Sequence, residues 1–200
     1  MDTKKNYSQL DQDLWIVSKF DTDYKGFYID IGANDGVTIS NSLLLEEKGW
    51  LGVCIEPAPT EFEKLNNNRK SNNYNICISD FNGKCHFSEN GFFGKISDKN
   101  TGNTDCLTLE YFLDNIDSPK VIDYLSIDVE GGEYDIIRNF PFDKYFVKYI
   151  TIEHNAYGSN FTLKNNINSI LSKYFNLEQE NVGEFEDWYS NKLLNNLFEL

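Results

Sequence analysis

The sequence predicts an α/β fold: a doubly wound, mostly parallel sheet with a C-terminal antiparallel strand pair. Three observations carry this. Phe27–Ile31 is an apolar and aromatic run that stops at the turn Gly32-Ala-Asn-Asp-Gly36, and the chain then continues at helical spacing. A second run, residues 50–55, ends in Glu56, about 20 residues past the turn, where a nucleotide-binding fold keeps a ribose-binding acid. Tyr124–Ile127 is nearly all apolar, as a strand buried on both faces should be.

The elements follow in alternating order. Residues 7–20 read as a short helix carrying Leu10, Leu14, Trp15 and Val17. The first strand is Phe27–Ile31, with a helix over 39–48. The second strand ends at Pro57, and Pro59 opens a helix over 60–69, since proline is tolerated in a first helical turn. A third strand, Tyr74–Ile78, closes on Ser79-Asp80. Residues 81–106 are punctuated by glycine and read as an irregular insertion, a candidate acceptor loop. A helix over 109–115, the strand 124–127, a helix reaching Phe140, a strand 149–152 and an amphipathic helix over 162–175 come next. Leu177–Val182 and Asp187–Ser190 can form the terminal pair. With no repeat or linker, residues 1–200 are expected to form one domain, with 1–25 a helical segment packing near the active site.

Composition narrows the function. The 40% hydrophobic and 15% aromatic content supports a packed core over disorder. A net charge of -14 argues against nucleic acid, whose affinity rests on Lys and Arg neutralising phosphates. Lys64, Arg69 and Lys70 are read as the solvated face of a helix. Cys54, Cys77, Cys85 and Cys106 show no paired or zinc spacing and are read as free thiols of a reducing compartment. No signal peptide or membrane-length run is seen, so a soluble cytoplasmic protein without a membrane partner is expected.

The turn indicates the ligand. It reads Asp30-x-Gly32-x-x-Asp35-Gly36 and lacks the three-glycine approach to a pyrophosphate, which disfavours a nicotinamide-dependent oxidoreductase. An acidic turn suits a cofactor with a cationic centre and no phosphate, and S-adenosylmethionine is the common one. Open parallel sheets bind ligands beyond the carboxyl ends of their strands, and here those ends carry Asp30, Glu56, Asp80, Asp128 and Glu153. Any one of them could be a helix cap. Five on one edge, repelling one another, ask for a further reason. The expected cofactor-binding residues are Asp30, Gly32, Asn34, Gly36, Glu56, Ser79, Asp80 and Asp128. Asp30 would take the α-amino group, Glu56 the ribose hydroxyls, and Ser79 with Asp80 the adenine amino edge, unless that last pair is a structural turn.

The chain resembles the FkbM-type family of S-adenosylmethionine-dependent methyltransferases over nearly its whole length. The resemblance rests on Tyr7-Ser-Gln-x-x-Gln-Asp13, Phe27–Gly36 with Val37-Thr-x-Ser-Asn41, and Gly49-Trp-x-Gly-Val-Cys-Ile-Glu-Pro57. Ser79-Asp80, Leu125–Gly131, Ile150–Asn155 and Asp187-Trp-Tyr189 extend it. It implies a class I methyltransferase (Rossmann-like) fold and O-methylation, with a sugar hydroxyl of a glycan or glycosylated metabolite as acceptor. Gly132 stands where the family commonly has Ala, and residues 91–102 follow no family pattern, which bears on the acceptor. A non-sugar small molecule as acceptor, or a catalytically silent binding module, is the alternative.

Methyl transfer needs an acceptor oxygen held in line with the methyl group and a base to take its proton. Asp128, Glu130 and His154 are the candidate catalytic residues, with His154 alternatively a histidine bonded to nearby backbone. Asp128, Glu153 and Asn155 form a candidate metal set, their hard oxygens suiting a divalent ion such as Mg²⁺ or Mn²⁺. Tyr157, Phe161, Trp188 and Phe92–Phe93 are the aromatic rings expected at the acceptor mouth.

Overall fold

The computed structural model describes residues 6–89, 94–99, 101–156 and 161–194. Helix α1 (Gln12–Val17) precedes β1 (Phe27–Ile31), α2 (Leu43–Glu47), β2 (Leu51–Ile55), α3 (Pro59–Asn68) and β3 (Asn72–Tyr74). Next come β4 (Cys77–Ser79), β5 (Gly83–Ser88), β6 (Lys95–Lys99), β7 (Thr104–Thr108) and α4 (Leu109–Asn115). The chain continues through β8 (Val121–Ile127), α5 (Glu133–Arg138), β9 (Phe146–Glu153), α6 (Thr162–Leu171), β10 (Phe175–Val182) and β11 (Glu186–Asn191).

Seven strands make the main sheet in the order β10-β11-β9-β8-β1-β2-β3. Strands β1, β2, β3, β8 and β9 run parallel, while β11 pairs antiparallel with β9 and with β10. The order reverses between β1 and β8, so the switch point of the sheet, where a doubly wound fold binds its ligand, lies between these two strands.

Strand alternation builds both layers. Ile29 and Ile31 of β1 face one side with Val53, Ile55, Leu125, Ile127, Ile150 and Ile152, and α4, α5 and α6 cover them with Phe112, Ile136 and Ile167. Tyr28 faces the other side with Cys54 and Tyr124, under Trp15, Leu45 and Leu65 of α1, α2 and α3. These side chains are almost fully buried, and each aliphatic one contributes about 1.5–3 kcal/mol by leaving water. No helix of the described residues is long and apolar enough to cross a membrane.

Two expectations change. The third strand expected over Tyr74–Ile78 is divided between two sheets, β3 ending at Tyr74 and β4 starting at Cys77. Asn75 makes the break: its Nδ2 donates to the carbonyls of Glu56 (2.9 Å) and Pro57 (3.0 Å), turning the chain off the main sheet. The described residues of 81–106 form regular strands rather than an irregular insertion. They supply β5, β6 and most of β7 to a second sheet, ordered β4-β7-β5-β6, packed around buried Cys77, Cys85 and Cys106. All four cysteines are buried and free.

Candidate active site

Gly32 ends β1 at the switch point with φ 91, and a Cβ there would lie 1.7 Å from the Asp128 carbonyl oxygen. Only glycine lets the first turn pass so close to the end of β8. Above this crossing is a cavity of about 320 Å³, lined by Asp30, Asn34, Glu56, Asp128, Glu130 and Glu153 among others. Four of the five strand-end acids therefore converge, and among the described residues no basic one lines the space. Asn34, Ile39 and Glu130, all lining it, hold left-handed backbone (φ 49, 49 and 59), a strain worth about 1–3 kcal/mol each that concentrates at functional sites.

On the β1–β2 side the acids are held by donors. Asp30 is buried, and its Oδ2 accepts from Ser42 Oγ at 2.5 Å. Burial raises its pKa, while the Ser42 hydroxyl and the Arg69 guanidinium pull it back. Glu56 accepts from the backbone N–H of Asn34 through Oε2 (2.9 Å) and of Ala58 through Oε1 (2.8 Å). Each oxygen keeps a lone pair for a ligand hydroxyl. Burial nevertheless pushes Glu56 up to about 7, the two N–H donors opposing it.

On the β8–β9 side the acids hold one another. Oxygens of Asp128, Glu130 and Glu153 lie within 4.8 Å of each other. Glu153 is buried, hydrogen-bonded to Asp128, and held well above the usual carboxylate range by desolvation and by the Asp128 charge. Burial raises the Asp128 carboxyl as well, so each acid of the pair disfavours the other's charge. Asn155 Nδ2 donates to Glu153 Oε2 (3.0 Å) and Glu130 Oε2 (3.3 Å). Asn155 thus ties two acids together through its amide N–H groups, and Glu130 joins Asp128 and Glu153 in the carboxylate cluster. The loop under these acids is fixed by Glu133, fully buried, which accepts from the backbone N–H of Val129 (3.1 Å) and Gly131 (3.0 Å).

His154 does not face this space. It is buried, its Nδ1 accepts from the Ala156 N–H (3.2 Å), and its Nε2 lies 3.4 Å from Asp187 Oδ1. The ring lines neither this cavity nor its neighbour, and its Nδ1 bonds to nearby backbone as in the alternative reading.

A second, more apolar cavity of about 430 Å³ adjoins the first, sharing Gly32, Pro57, Phe87, Val129 and Glu130 with it. Ser79 lines it beside Ile55 and Ile78. Asp80 does not line it: its carboxylate accepts from Lys99 (2.7 Å) and from Arg138. Against the cost of burial, these hydrogen bonds hold its pKa low. Asp80 clamps β6 to α5, and its expected role on adenine gives way to that structural one. Gly36, also expected at the cofactor, lines neither cavity; it has φ 77, and a Cβ there would meet the side chains of Leu65 and Arg69 at 2.6 Å. Trp188 is core, tilted against Trp15, and Phe161 is exposed off the cavity. Tyr157 and Phe92–Phe93 lie outside the described residues. The rings that do line the acidic cavity are Phe87 and Phe185.

Arg69 was the largest omission from the sequence reading. It is buried, not on a solvated face, and binds five acceptors. Arg69 stands just past the end of α3 in extended backbone, four residues after the buried Leu65, and turns its side chain inward there.

A doubly wound sheet with an acid-floored cleft at its switch point is the arrangement of the class I methyltransferase fold. The methyltransferase FkbM domain model matches residues 30–188, and the chain belongs to that family. No curated protein matches it. Among solved structures, a fibrillarin/Nop5p complex is similar with a TM-score of 0.54 and 11% identity, covering 92% of this chain and 80% of that one. The N-terminal domain of human METTL16 in complex with SAH aligns at a TM-score of 0.49 and 14% identity (88% and 67% covered). Magnesium protoporphyrin IX methyltransferase (ChlM) from Synechocystis PCC 6803 with bound SAM aligns at 0.47 and 10% (88% and 74%). The first likeness is one of fold alone, and the other two fall below the level at which even that can be argued.

Proposed function

We propose that this chain transfers the methyl group of S-adenosylmethionine to a hydroxyl, most fittingly that of a sugar on a glycan or glycosylated metabolite. The observation that carries the cofactor is Glu56, fixed by two backbone N–H groups and lining the acidic cavity where it adjoins the apolar one. A ribose bound there would place adenine among Ile55, Ile78 and Ser79 and the cationic methionine end among the acids. Family membership supports the methyl donor, and an acidic cavity with no basic residue among its described lining fits the positively charged end of that cofactor, while Lys95 and Lys99 line only the adjoining apolar cavity.

In the transfer, the acceptor oxygen attacks the methyl carbon, the carbon–sulfur bond breaks, and the sulfonium becomes a neutral thioether. The acceptor proton passes to Asp128, which lines the acidic cavity beside Glu130 and Glu153. Phe87 and Phe185 offer apolar faces for a sugar ring while the acids accept its hydroxyls. Alignment of this kind supplies about 7–11 kcal/mol of barrier lowering and a positioned base about 10²–10⁴-fold.

A second reading has support in the carboxylate oxygens gathered within 4.8 Å. Asp128, Glu130 and Glu153 are hard donors suited to Mg²⁺ or Mn²⁺. A divalent ion held by them would lower the pKa of an acceptor hydroxyl. Labelled-methyl transfer over a panel of sugars, nucleotide sugars and phenols, with and without chelator, tests both readings. Transfer to phenols with none to any sugar removes the sugar assignment. Activity unchanged by chelation removes the metal.

A further inference from the structure

Arg69 puts a buried guanidinium directly beneath the turn that the proposed cofactor would contact. Its Nη1 donates to the Gly36 carbonyl (3.1 Å) and Ser40 Oγ (3.2 Å), and its Nη2 to Tyr28 Oη (2.9 Å) and Ser42 Oγ (3.1 Å). Nε pairs with Glu46 Oε2 at 3.0 Å, where the Arg69 side chain is 0% exposed. Ser42, accepting from Arg69, donates its own hydrogen to Asp30 Oδ2 (2.5 Å). One cation thus reaches the turn through Gly36, the 37–41 loop through Ser40 and the cavity-lining Asp30 through Ser42.

We infer that Arg69 is a positioning residue for the amino-acid end of the cofactor: through Ser42 it orients Asp30, and through Gly36 and Ser40 it fixes the loop facing that end. The inference rests on the proposed S-adenosylmethionine site. Burial asks for an acceptor on each guanidinium donor, and here only one of the five acceptors is the carboxylate of Glu46. Four further bonds, all to β1, the turn and the loop after it, go beyond neutralising a charge. The planar fork suits the task, because its donors span separate acceptors that the single ammonium point of lysine could not reach together.

The test compares two ligands by calorimetry: S-adenosylhomocysteine, which has the amino-acid end, and 5′-methylthioadenosine, which lacks it. Arg69→Lys should weaken S-adenosylhomocysteine about tenfold or more, the loss of a charge-assisted bond, and leave 5′-methylthioadenosine nearly unchanged. Ser42→Ala keeps the guanidinium and cuts the relay to Asp30, so it should show the same selectivity at several-fold size. Its melting temperature should fall by only about 2–4 °C, which keeps the test open if Arg69→Lys fails to fold. Equal loss for both ligands in Ser42→Ala, or no loss for either, overturns the positioning role while wild-type binding stands. Wild-type protein that binds neither ligand overturns the cofactor assignment and this inference with it.

Discussion

Along the floor of the cleft, the acids beside β1 and β2 and those beside β8 and β9 are handled in opposite ways. Asp30 and Glu56 have their charge met by fixed donors: the Ser42 hydroxyl on one, two backbone N–H groups on the other. Asp128, Glu130 and Glu153 have the Asn155 amide between them among the described residues, and burial with their mutual repulsion raises all three. Donors that saturate a carboxylate hold it in one place, which serves binding. A carboxylate whose charge its neighbours disfavour is suited to taking a proton from a substrate. Under the proposed function, recognition falls to one side of the switch point and chemistry to the other.

Four measurements sharpen or break that division. Asp128→Asn should cut methyl transfer about 10²–10⁴-fold, the contribution of a positioned base, while S-adenosylhomocysteine affinity changes far less. A variant that transfers at the wild-type rate would take the chemistry away from β8. On the other side, Glu56→Ala should remove the ribose contacts and weaken the cofactor by about 1.5–3 kcal/mol, roughly tenfold or more. Unchanged affinity by calorimetry would free Glu56 from that role.

The third concerns pH. Burial pushes Glu56 and Glu133 up to about 7 and Glu186 up to about 8, from an ordinary value of 4.5. The folded chain therefore holds protons that the unfolded chain has already released between pH 4.5 and these values. Stability from these groups is greatest in mild acid and is lost as pH rises through 7 to 8. Asp80 and Asp187 act in reverse: despite burial, hydrogen bonds from Lys99 and Arg138, and from His154 and the Asn181 N–H, hold them low, so acid below about pH 4 costs stability. The ligand-free protein should melt higher at pH 6 than at pH 8, and scanning calorimetry showing the opposite would mean the buried glutamates are solvated. The smallest effect on activity is expected of His154→Ala, which should lower stability by about 1–3 kcal/mol and leave turnover nearly intact. A turnover loss of a hundredfold in a folded variant would restore His154 as the base.

Much of this architecture was legible in the chain. Strand β1 and helix α4 have the limits their residue patterns require, and β2, β8 and β9 differ only at their ends, because apolar alternation and helix-opening signals are local. Asn75 shows the limit of that approach. Nothing in Tyr74–Ile78 marks a break, since the bonds that make it run to carbonyls 56 and 57 on another strand. In residues 81–106 the glycines suggested a loop, yet Cys85 and Phe87 alternate inward like the strand they form. The site divided the same way. Residue type brought Asp30, Glu56, Asp128, Glu130 and Glu153 to one edge, but His154 was chosen for its chemistry, and past a strand end the chain no longer tells which way a side chain points. Arg69 was lost to the assumption that charge seeks water.

The adjacency of β1 and β8 has a consequence for how the molecule comes to exist. Asp30 sits in register with Ser126, two residues before Asp128, yet everything from β2 to β7 lies between these strands in the chain. The β1–β2–β3 unit can assemble from near neighbours, whereas the junction of β1 with β8 must close a very long loop before its contacts repay the entropy. Mixed topologies of this sort fold more slowly than helical bundles, and the junction belongs to the late, non-local steps. An intermediate that has built only its first half carries the glycine turn and Glu56 without the wall that faces them. Ligand capture during refolding should consequently trail the appearance of strand and helix signals, making occupancy of the cleft a marker for completion of the whole sheet.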